Sequence, residues 1–390
     1  MKAAIIYYSA TGNTAKIAKA IHRGVQTELD CDLISIKKAD PKDMGVYDLI
    51  IVGGPIWYYR ETANLRLFIH KMPDMSGKYF APFCTHGSAP EGFLFSISQV
   101  MKKKGMTLIG WNDWYGSVYQ VMHMPKPYMT DGHPDDIDLE EGEKFGRETA
   151  VRAKQIAAGN IDLIPKQPTK KEDPLWGIMS VEMFAASTGN DGSPQSASIR
   201  KSPIRNVDRS KCRYPDCSLC IDTCPVNAID FSAESAEFNK QCVDCMLCDK
   251  MCPELAIDVD EDSMKSRTQH IIKMDKCKYP VCTLCVDHCP MNSIDFSITP
   301  PVFKKNCEGD DLCWVICPYD AIEVTNLDTT HRRMIGVRES PGTQDHPFLR
   351  KLAQAEAAGK FRRHIPLDKI GWDNIVCDNP NAPRFIIDED

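Results

Sequence analysis

Residues 1–14 read MKAAIIYYSATGNT, and this stretch decides how the first half of the chain folds. The apolar run Ala3–Tyr8 predicts a short buried strand. The loop Ser9–Thr14 follows at once and leads into a helix-compatible stretch from Asn13 to about Glu28. Backbone N–H groups at that helix N-terminus, together with the three hydroxyls of the loop, predict an anion site without a positive side chain.

The rest of residues 1–158 continues this alternation of strand-like and helix-like segments. Further strands are expected at 32–36, 48–53, 79–85 and 106–111, and helices at 63–71, 91–104 and 139–158. Strands that alternate with helices predict a parallel sheet covered on both faces. The sequence therefore predicts an α/β doubly wound domain over residues 1–160.

The loop after the first strand indicates a particular ligand. Ser9-Ala-Thr-Gly-Asn-Thr14 lacks both the Gly-Lys-Ser/Thr of a Walker loop and the G-x-G-x-x-G of a dinucleotide fingerprint. It resembles the phosphate loop of flavodoxins, which holds FMN by its monophosphate. The resemblance covers residues 1–160 and implies a flavodoxin-like FMN-binding domain.

Two further loops support this resemblance. Ligands of doubly wound sheets bind at the carboxyl ends of the strands, where the segments 53–59 and 85–92 lie in this sequence. In flavodoxins, aromatic side chains of the first of these loops stack on the flavin, which implies that role for Trp57 or Tyr58. The implied FMN-binding residues are Ser9, Ala10, Thr11, Gly12, Asn13, Thr14, Pro55, Ile56, Trp57, Tyr58, Thr85, His86, Gly87 and Gly92.

Other interpretations of these loops stay open. One is an empty flavodoxin-like fold that serves only for docking. His86 is explained more simply as a polar loop group than as an acid or base, and Cys84 as a small core residue. The aromatic residues Trp111, Trp114, Tyr115 and Tyr119 favour packing or a lid over a second cofactor site. No catalytic residue is predicted.

Composition and charge exclude several classes of protein. The chain has 390 residues, 43% hydrophobic and 26% charged, which is typical of globular proteins with two or three domains. It contains no run of 18 apolar residues, and its N-terminal stretch lacks the small-residue cleavage site of a secretion signal. We therefore expect a cytoplasmic protein without a membrane span. A net charge of −7 argues against nucleic acid as the main partner.

Cysteine distinguishes the second half of the chain. Of 18 cysteines, 15 lie between Cys212 and Cys317. Residues 212–258 align with residues 277–323 without a gap, at an offset of 65 and with 23 identities in 47 pairs. A cysteine-poor half followed by a duplicated cysteine-dense block favours metal ligation over a disulfide scaffold.

The block contains four cysteine motifs, each of which ends in Cys-Pro. Zinc sites use pairs of ligands rather than such triplets followed by Cys-Pro, so zinc is disfavoured. The motifs are Cys212-x4-Cys217-x2-Cys220-x3-Cys224-Pro, Cys242-x2-Cys245-x2-Cys248-x3-Cys252-Pro, Cys277-x4-Cys282-x2-Cys285-x3-Cys289-Pro and Cys307-x2-Asp310-x2-Cys313-x3-Cys317-Pro.

This spacing resembles that of bacterial ferredoxins with two [4Fe-4S] clusters. In such proteins, three cysteines of one motif bind one cluster, and the cysteine before the proline binds the other cluster. The resemblance implies two small α+β ferredoxin-like modules, at residues 204–262 and 263–325. The implied ligand sets are Cys212, Cys217, Cys220 and Cys252; Cys242, Cys245, Cys248 and Cys224; Cys277, Cys282, Cys285 and Cys317; and Cys307, Asp310, Cys313 and Cys289.

Asp310 departs from the ferredoxin pattern. A carboxylate is a harder and weaker ligand for iron than a thiolate. One alternative is a complete [4Fe-4S] cluster with an aspartate ligand, which we favour under reducing conditions. Another is a [3Fe-4S] cluster with that corner empty, and a third leaves Asp310 facing solvent while water fills the corner.

The two halves together resemble flavodoxin–ferredoxin fusion proteins of anaerobes, with the ferredoxin part duplicated. The resemblance implies a carrier that relays low-potential electrons between FMN and a redox protein partner, as a subunit or adapter of a larger complex. Residues 161–203 are then a linker, and residues 326–390 a C-terminal docking tail. The alternatives are a self-contained FMN-dependent reductase of a small molecule or quinone, and a flavin-based bifurcating protein.

Overall fold

The computed structural model describes residues 1–57, 60–118, 127–169, 205–224, 228–231, 237–238, 248–249, 252–258, 269–305, 307, 312–325 and 347–371. Residues 1–169 form a unit of alternating strands and helices, called the sheet domain below. Its strands are β1 (Lys2–Tyr7), β2 (Asp30–Ser35), β3 (Leu49–Pro55), β4 (Tyr79–His86), β5 (Thr107–Leu108) and β6 (Asn112–Tyr115). Its helices are α1 (Asn13–Gln26), α2 (Ala63–Lys71), α3 (Phe93–Lys103) and α4 (Asp136–Ala157).

The strands form one sheet with the order β2-β1-β3-β4-β5, and β6 also pairs with β4. Every pair is parallel. The strand order reverses between β1 and β3, and this is the position at which doubly wound sheets bind ligands. The predicted α/β doubly wound fold of the N-terminal part is confirmed.

One strand prediction is wrong in its extent. The expected strand at 106–111 is reduced to the two residues of β5, and a separate strand, β6, follows beyond Gly110. Glycine weakens a strand interior, so the edge strand breaks there and pairs a second time with the longer β4. The aromatic residues Trp114 and Tyr115 lie on this second strand and are buried, as the packing interpretation expects.

Apolar side chains cover both faces of the sheet, as a parallel sheet requires. Helices α2 and α3 pack on one face, and α1 and α4 pack on the other. Helices α1 and α4 approach closely at Gly146, where an added Cβ atom would lie 2.1 Å from the carbonyl oxygen of Ile21.

The cysteine-rich block repeats its structure as it repeats its sequence. Module 1 (residues 205–258) contains helix α5 (Leu219–Thr223) and the antiparallel strands β7 (Ile229–Asp230) and β8 (Glu237–Phe238). Module 2 (residues 269–325) contains the equivalent helix α6 and strands β10 and β11, together with the strand pair β9 and β12 and helix α7. Their bounds are β9 Gln269–Ile272, α6 Leu284–His288, β10 Ile294–Asp295, β11 Val302–Phe303, α7 Leu312–Ile316 and β12 Ile322–Thr325. In module 1 an antiparallel bridge between Val207 and Ile257 stands at the position of the β9–β12 pair.

Both modules pack on the sheet domain, on the face that α2 and α3 cover. Leu219 of module 1 and Leu312 and Ile316 of module 2 are buried in the apolar cluster of that face. The sheet domain and the cysteine-rich block therefore share part of one core.

The described part of the C-terminal segment also packs on the sheet domain. Helix α8 (Pro347–Ala357) and the residues after it bury Leu352, Phe361 and Ile370 against Tyr115 and Tyr128. A role of this segment in docking a partner stays a prediction. Among the described helices, none combines the length and the apolar character that crossing a bilayer requires.

Candidate functional sites: a loop cavity and two cysteine cavities

A cavity of about 520 Å³ opens at the carboxyl ends of β1, β3, β4 and β6. We call it the loop cavity, because its walls are the loops that follow these strands. Parallel strands bring their carboxyl ends to one edge of the sheet, so four loops that are distant in sequence meet here. The lining residues are Ala10, Thr11, Asn13, Thr14, Pro55, Ile56, Trp57, Thr85, His86, Gly87, Gly116, Ser117 and Val118.

Hydrogen bonds fix the loop between β1 and α1. Ser9 Oγ accepts from the backbone N–H groups of Gly12 and Ala15 at 3.1 and 3.3 Å. The Thr14 and Thr85 hydroxyls lie 2.8 Å apart, which ties the first loop to the third. Gly12 has a φ of 88°, a left-handed conformation that glycine adopts without strain. The start of α1 is thus held open toward the cavity, where its first N–H groups have no acceptor within the helix.

A positive side chain lies beside this loop, contrary to the sequence prediction. Lys37 Nζ donates to the carbonyl oxygen of Ser9 at 3.2 Å. Lys37 follows β2, the strand next to β1 in the sheet. Sequence reasoning missed it because only the strand order brings it to Ser9.

His86 occupies the wall of the loop cavity. Its Nε2 lies 2.9 Å from Asp113 Oδ2, and its ring meets the Tyr115 ring edge-on at a centroid distance of 4.6 Å. Its Nδ1 is buried and has no hydrogen-bond partner among the described residues. A buried polar atom on the wall of a cavity fits a bound polar molecule that would complete its hydrogen bonding.

Trp57 is held in the second loop by a tight turn. Trp57 N donates to the Arg60 carbonyl oxygen at 2.8 Å, and Arg60 N donates back at 3.2 Å. The half-buried Trp57 side chain packs against the apolar cluster of the α2–α3 face. An aromatic ring fixed at the cavity wall fits a planar ring system as ligand.

Most of the predicted FMN-binding residues meet in the loop cavity. Ser9 and Gly12 shape the first loop without lining the cavity, and Tyr58 lies outside the described residues. Gly92 directly precedes α3 and is not among the lining residues: its carbonyl oxygen accepts from Ser96 N at 3.0 Å, and its role in FMN binding stays a prediction. The lining residues 116–118 were missed because they follow β6, a strand that the sequence analysis did not separate from β5.

The first cysteine cavity lies in module 1 and measures about 360 Å³. Its cysteines are Cys212, Cys217, Cys220 and Cys252. Three of them come from the first motif, and Cys252 comes from the end of the second motif. These are the four residues that the ferredoxin resemblance assigns to one cluster.

Module 2 contains an equivalent cavity, also of about 360 Å³. It is lined by Cys277, Cys282, Cys285 and Cys317. These are the four cysteines that the ferredoxin resemblance assigns to the third cluster. Burial raises the pKa of the Cys220 and Cys285 thiols to about 12. A buried thiol of this kind becomes a thiolate ligand only when a cation compensates its charge.

The four cysteines that precede proline share one local geometry. The sulfur of each accepts a hydrogen bond from the backbone N–H group four residues later. The bonds run from Ala228 N to Cys224 Sγ, Ala256 N to Cys252 Sγ and Ser293 N to Cys289 Sγ at 3.2 Å each, and from Ala321 N to Cys317 Sγ at 3.3 Å. Such donors stabilise the negative charge of a ligand sulfur.

The two remaining ligand sets are described only in part. Cys224 and Cys248 are buried in one apolar cluster of module 1, while Cys242 and Cys245 lie outside the described residues. Cys289 and Cys313 share an apolar cluster of module 2. Cys307 is described and half-buried, and Asp310 lies outside the described residues.

Two donors approach these partly described sets, and the sequence analysis missed both. Arg205 Nη1 lies 3.6 Å from Cys248 Sγ and donates to Asp249 Oδ1 at 3.1 Å. His270 Nδ1 lies 3.8 Å from Cys307 Sγ. The signal that could have found them is the repeat, because Arg205 and His270 are 65 residues apart.

A third group of polar residues joins the C-terminal segment to α4. His133, Asp135 and His364 lie close enough to suggest a metal site. However, His133 Nδ1 bonds to Asp138 Oδ2 at 2.5 Å, and Nε2 bonds to the Arg362 carbonyl oxygen at 2.6 Å. Both ring nitrogens are thereby occupied, so the group is a network of hydrogen bonds and ion pairs rather than a metal centre.

Comparison with known proteins bears on the first of these sites. A family model of the flavodoxin domain matches residues 4–111. The chain is 28% identical over 166 residues to a flavodoxin of Clostridium saccharobutylicum, covering 40% of this chain and 99% of that protein. Over 58 residues it is 40% identical to a flavodoxin of Haemophilus influenzae, covering 15% of this chain and 33% of that protein.

Among solved structures, an archaeal flavodoxin is similar at 24% identity and a TM-score of 0.32, covering 40% of this chain and 99% of that one. The family match, the parallel strand order and the loop cavity concern the same part of the chain. The N-terminal part of the chain is therefore a flavodoxin-like domain.

Proposed function

We propose that this chain is an iron–sulfur flavoprotein that relays low-potential electrons between bound FMN and a redox protein partner through four iron–sulfur clusters. One observation carries the proposal. Each of the two cysteine cavities gathers four cysteines, and in each the fourth comes from the other half of the module. That crossed arrangement is the one expected of ferredoxins with two [4Fe-4S] clusters.

The loop cavity is proposed to bind FMN. The N-terminus of α1, with Thr11, Asn13 and Thr14, would hold the phosphate, since helix N-termini favour anions. Trp57 on one wall, with the loops at 85–87 and 116–118 on the other, would hold the ring. Bound FMN exchanges two electrons in total and can pass them singly, whereas each cubane passes one.

The cysteine cavities are proposed to bind [4Fe-4S] clusters through thiolates. Their walls are mostly apolar, which keeps the sulfurs away from water; Phe231 and Ile257 lie in the first cavity, and Phe296 and Ile322 in the second. The backbone N–H groups that point at Cys252 and Cys317 would stabilise the ligand charge. The cluster set that includes Asp310 is proposed as [4Fe-4S], with [3Fe-4S] as the form expected if the carboxylate is not bound.

The experiment that tests this proposal is anaerobic purification followed by chemical analysis. We expect about sixteen iron atoms per chain, about fifteen if the Asp310 corner is open, with matching acid-labile sulfide and one FMN. Material that contains zinc without sulfide, or that carries no flavin, would refute it.

A further inference from the structure

We infer that module 2 alone connects the clusters to the flavin, and that Cys289 is the ligand at this connection. The inference rests on the proposed function and adds an order of electron transfer to it. Two chemically similar modules pack on the sheet domain, and their contacts with it differ in distance from the loop cavity.

The first contact joins module 2 to the start of the phosphate loop. The hydroxyl of Tyr8 donates to the carbonyl oxygen of His288 at 2.6 Å, and Tyr8 is fully buried. Tyr8 immediately precedes Ser9, and Ala10 lines the cavity. His288 immediately precedes Cys289. One hydrogen bond therefore links the backbone next to this cysteine with the residue next to the loop.

The second contact joins the same segment of module 2 to the start of α2. Asn64 Nδ2 donates to the Cys289 carbonyl oxygen at 3.3 Å, and Asn64 N donates to the Pro290 carbonyl oxygen at 3.1 Å. Ala63 and Met291 are buried against each other beside Cys289. Helix α2 begins directly after the loop that carries Trp57, so this contact also lies at the cavity edge of the sheet.

Apolar packing also joins the fourth motif to the sheet domain. Leu312 and Ile316 flank Cys313 and are buried in the cluster that Trp57 packs against, which Leu219 of module 1 also joins. The hydrogen bonds to residues 288–290 are therefore what distinguishes module 2 from module 1. Cys317 lines the cavity of the third motif, so it is not available to the fourth. Cys289 is then left to join Cys307 and Cys313, so the contacts at residues 288–290 adjoin a ligand of the fourth set.

The hydrogen bonds between module 1 and the sheet domain lie at the end of α3 that is remote from the loop cavity. Lys103 donates to Ser218 and Asp222 of module 1. Lys103 is the last residue of α3, whereas the first residue, Phe93, follows the cavity edge of the sheet. At 1.5 Å per residue, the contact lies about 15 Å along the helix from that edge.

The electron balance of the inferred step is simple. Each transfer would move one electron between the cluster that Cys289 helps to hold and FMN in the loop cavity, and no covalent bond would form or break. Two such transfers supply the two electrons that one FMN accepts, and protons from solvent balance the added charge. Module 1 would exchange electrons with the flavin only by way of module 2.

The test compares contact variants of the anaerobic holoprotein. The double variant Tyr8→Phe/Asn64→Leu removes the side-chain bonds to module 2, and Lys103→Met removes those to module 1. After the clusters are reduced with dithionite, the rate of flavin bleaching is measured by rapid mixing. We expect the double variant to lower the rate of flavin bleaching about tenfold or more, because small misplacements of reacting groups slow a reaction strongly. We expect Lys103→Met to leave this rate nearly unchanged.

A second readout needs no variant and no turnover. Hydrogen exchange is measured on the cluster-loaded wild-type protein with and without FMN, at the equivalent segments 219–224 and 284–289. We expect FMN to slow exchange at 284–289 and to leave 219–224 unchanged. The inference would be overturned if FMN slowed hydrogen exchange equally in both segments or only in 219–224. It would also be overturned if only Lys103→Met slowed flavin bleaching. Because these results require bound clusters and flavin, they would leave the proposed function intact, whereas a protein without clusters would overturn both.

Discussion

Arg205 and His270 occupy equivalent positions in the two modules and approach different cysteine sulfurs. The Arg205 guanidinium is always charged, and its side chain is fully buried beside Cys248. Asp249 compensates part of that charge. A buried donor at a ligand sulfur favours the more negative, reduced form of a cluster.

Replacing Arg205 tests this effect on one cluster. We expect Arg205→Met to lower the reduction potential of only one of the clusters proposed in module 1, because the reduced form would lose its donor. For a one-electron couple, a loss of about 1.4 kcal/mol corresponds to about 60 mV. An EPR-monitored redox titration measures the shift. Arg205→Lys should retain part of the effect, and potentials that do not change in Arg205→Met would contradict the assigned role.

His133 makes the docking of the C-terminal segment sensitive to pH. Burial acts to lower the pKa of His133, but hydrogen bonds to Asp138 and to the Arg362 carbonyl oxygen raise it above its ordinary value overall. A folded pKa above the unfolded value means that the protonated ring adds stability at low pH, and this stability is lost as the pH rises through the folded pKa. Asp135, Asp138, Arg362 and His364 are the charged and titratable groups that surround it.

We expect the segment 347–371 to exchange its amide hydrogens faster, relative to the sheet domain, as the pH rises above about 6.5. Rates are corrected for intrinsic exchange at each pH. The variant His133→Gln should remove most of this pH dependence, because glutamine keeps polar contacts but does not titrate. A wild-type segment whose protection stays constant or grows with pH would show that the ring is not protonated there.

At the scale of elements, the crossing of α1 and α4 depends on glycine. An added Cβ atom at Gly146 would lie 2.1 Å from the Ile21 carbonyl oxygen, whereas one at Gly142, in the same helix, would lie 3.2 Å from Ala20 Cβ. Backbone of a packed helix cannot move aside as the end of a side chain can. The gain of about 1 kcal/mol in helix propensity from alanine is the same at both positions.

We therefore expect Gly146→Ala to lower the free energy of unfolding by about 1–3 kcal/mol. Gly142→Ala is the matched control and should have a smaller effect or stabilise slightly. Urea unfolding followed by circular dichroism compares the two. Equal stability of both variants would mean that the helices shift apart without cost.

The sequence predicted elements well where the hydrophobic period was long and regular. Apolar periodicity alone predicts helices α1, α2 and α4 and strands β1 and β3. Strand β6 was missed because four residues with two aromatics, next to a glycine, are too short a signal. Contacts such as Lys37 with Ser9, or Tyr8 with His288, depend on tertiary packing that no local pattern records.

At the scale of the whole molecule, two cysteine-rich modules pack on the α2–α3 face of the flavodoxin-like sheet domain. The ferredoxin resemblance implied which cysteines meet in each described cavity, because ferredoxins with two clusters bind each cluster through cysteines of both motifs. It did not imply how each module contacts the sheet domain, since the two copies share their motif spacing and 23 of 47 aligned residues. Among the described residues, Tyr8 and Asn64 bond to residues 288–290 of module 2, whereas Lys103 bonds to Ser218 and Asp222 of module 1.

The most direct test of the electron-relay account is a reductive titration of the anaerobic holoprotein, with EPR spin counting and flavin absorbance recorded on the same sample. We predict about four one-electron cluster centres and one two-electron flavin per chain, about six electrons in all. A titration that ends after the two electrons of a flavin, or that takes up electrons without any cluster signal, would contradict the account.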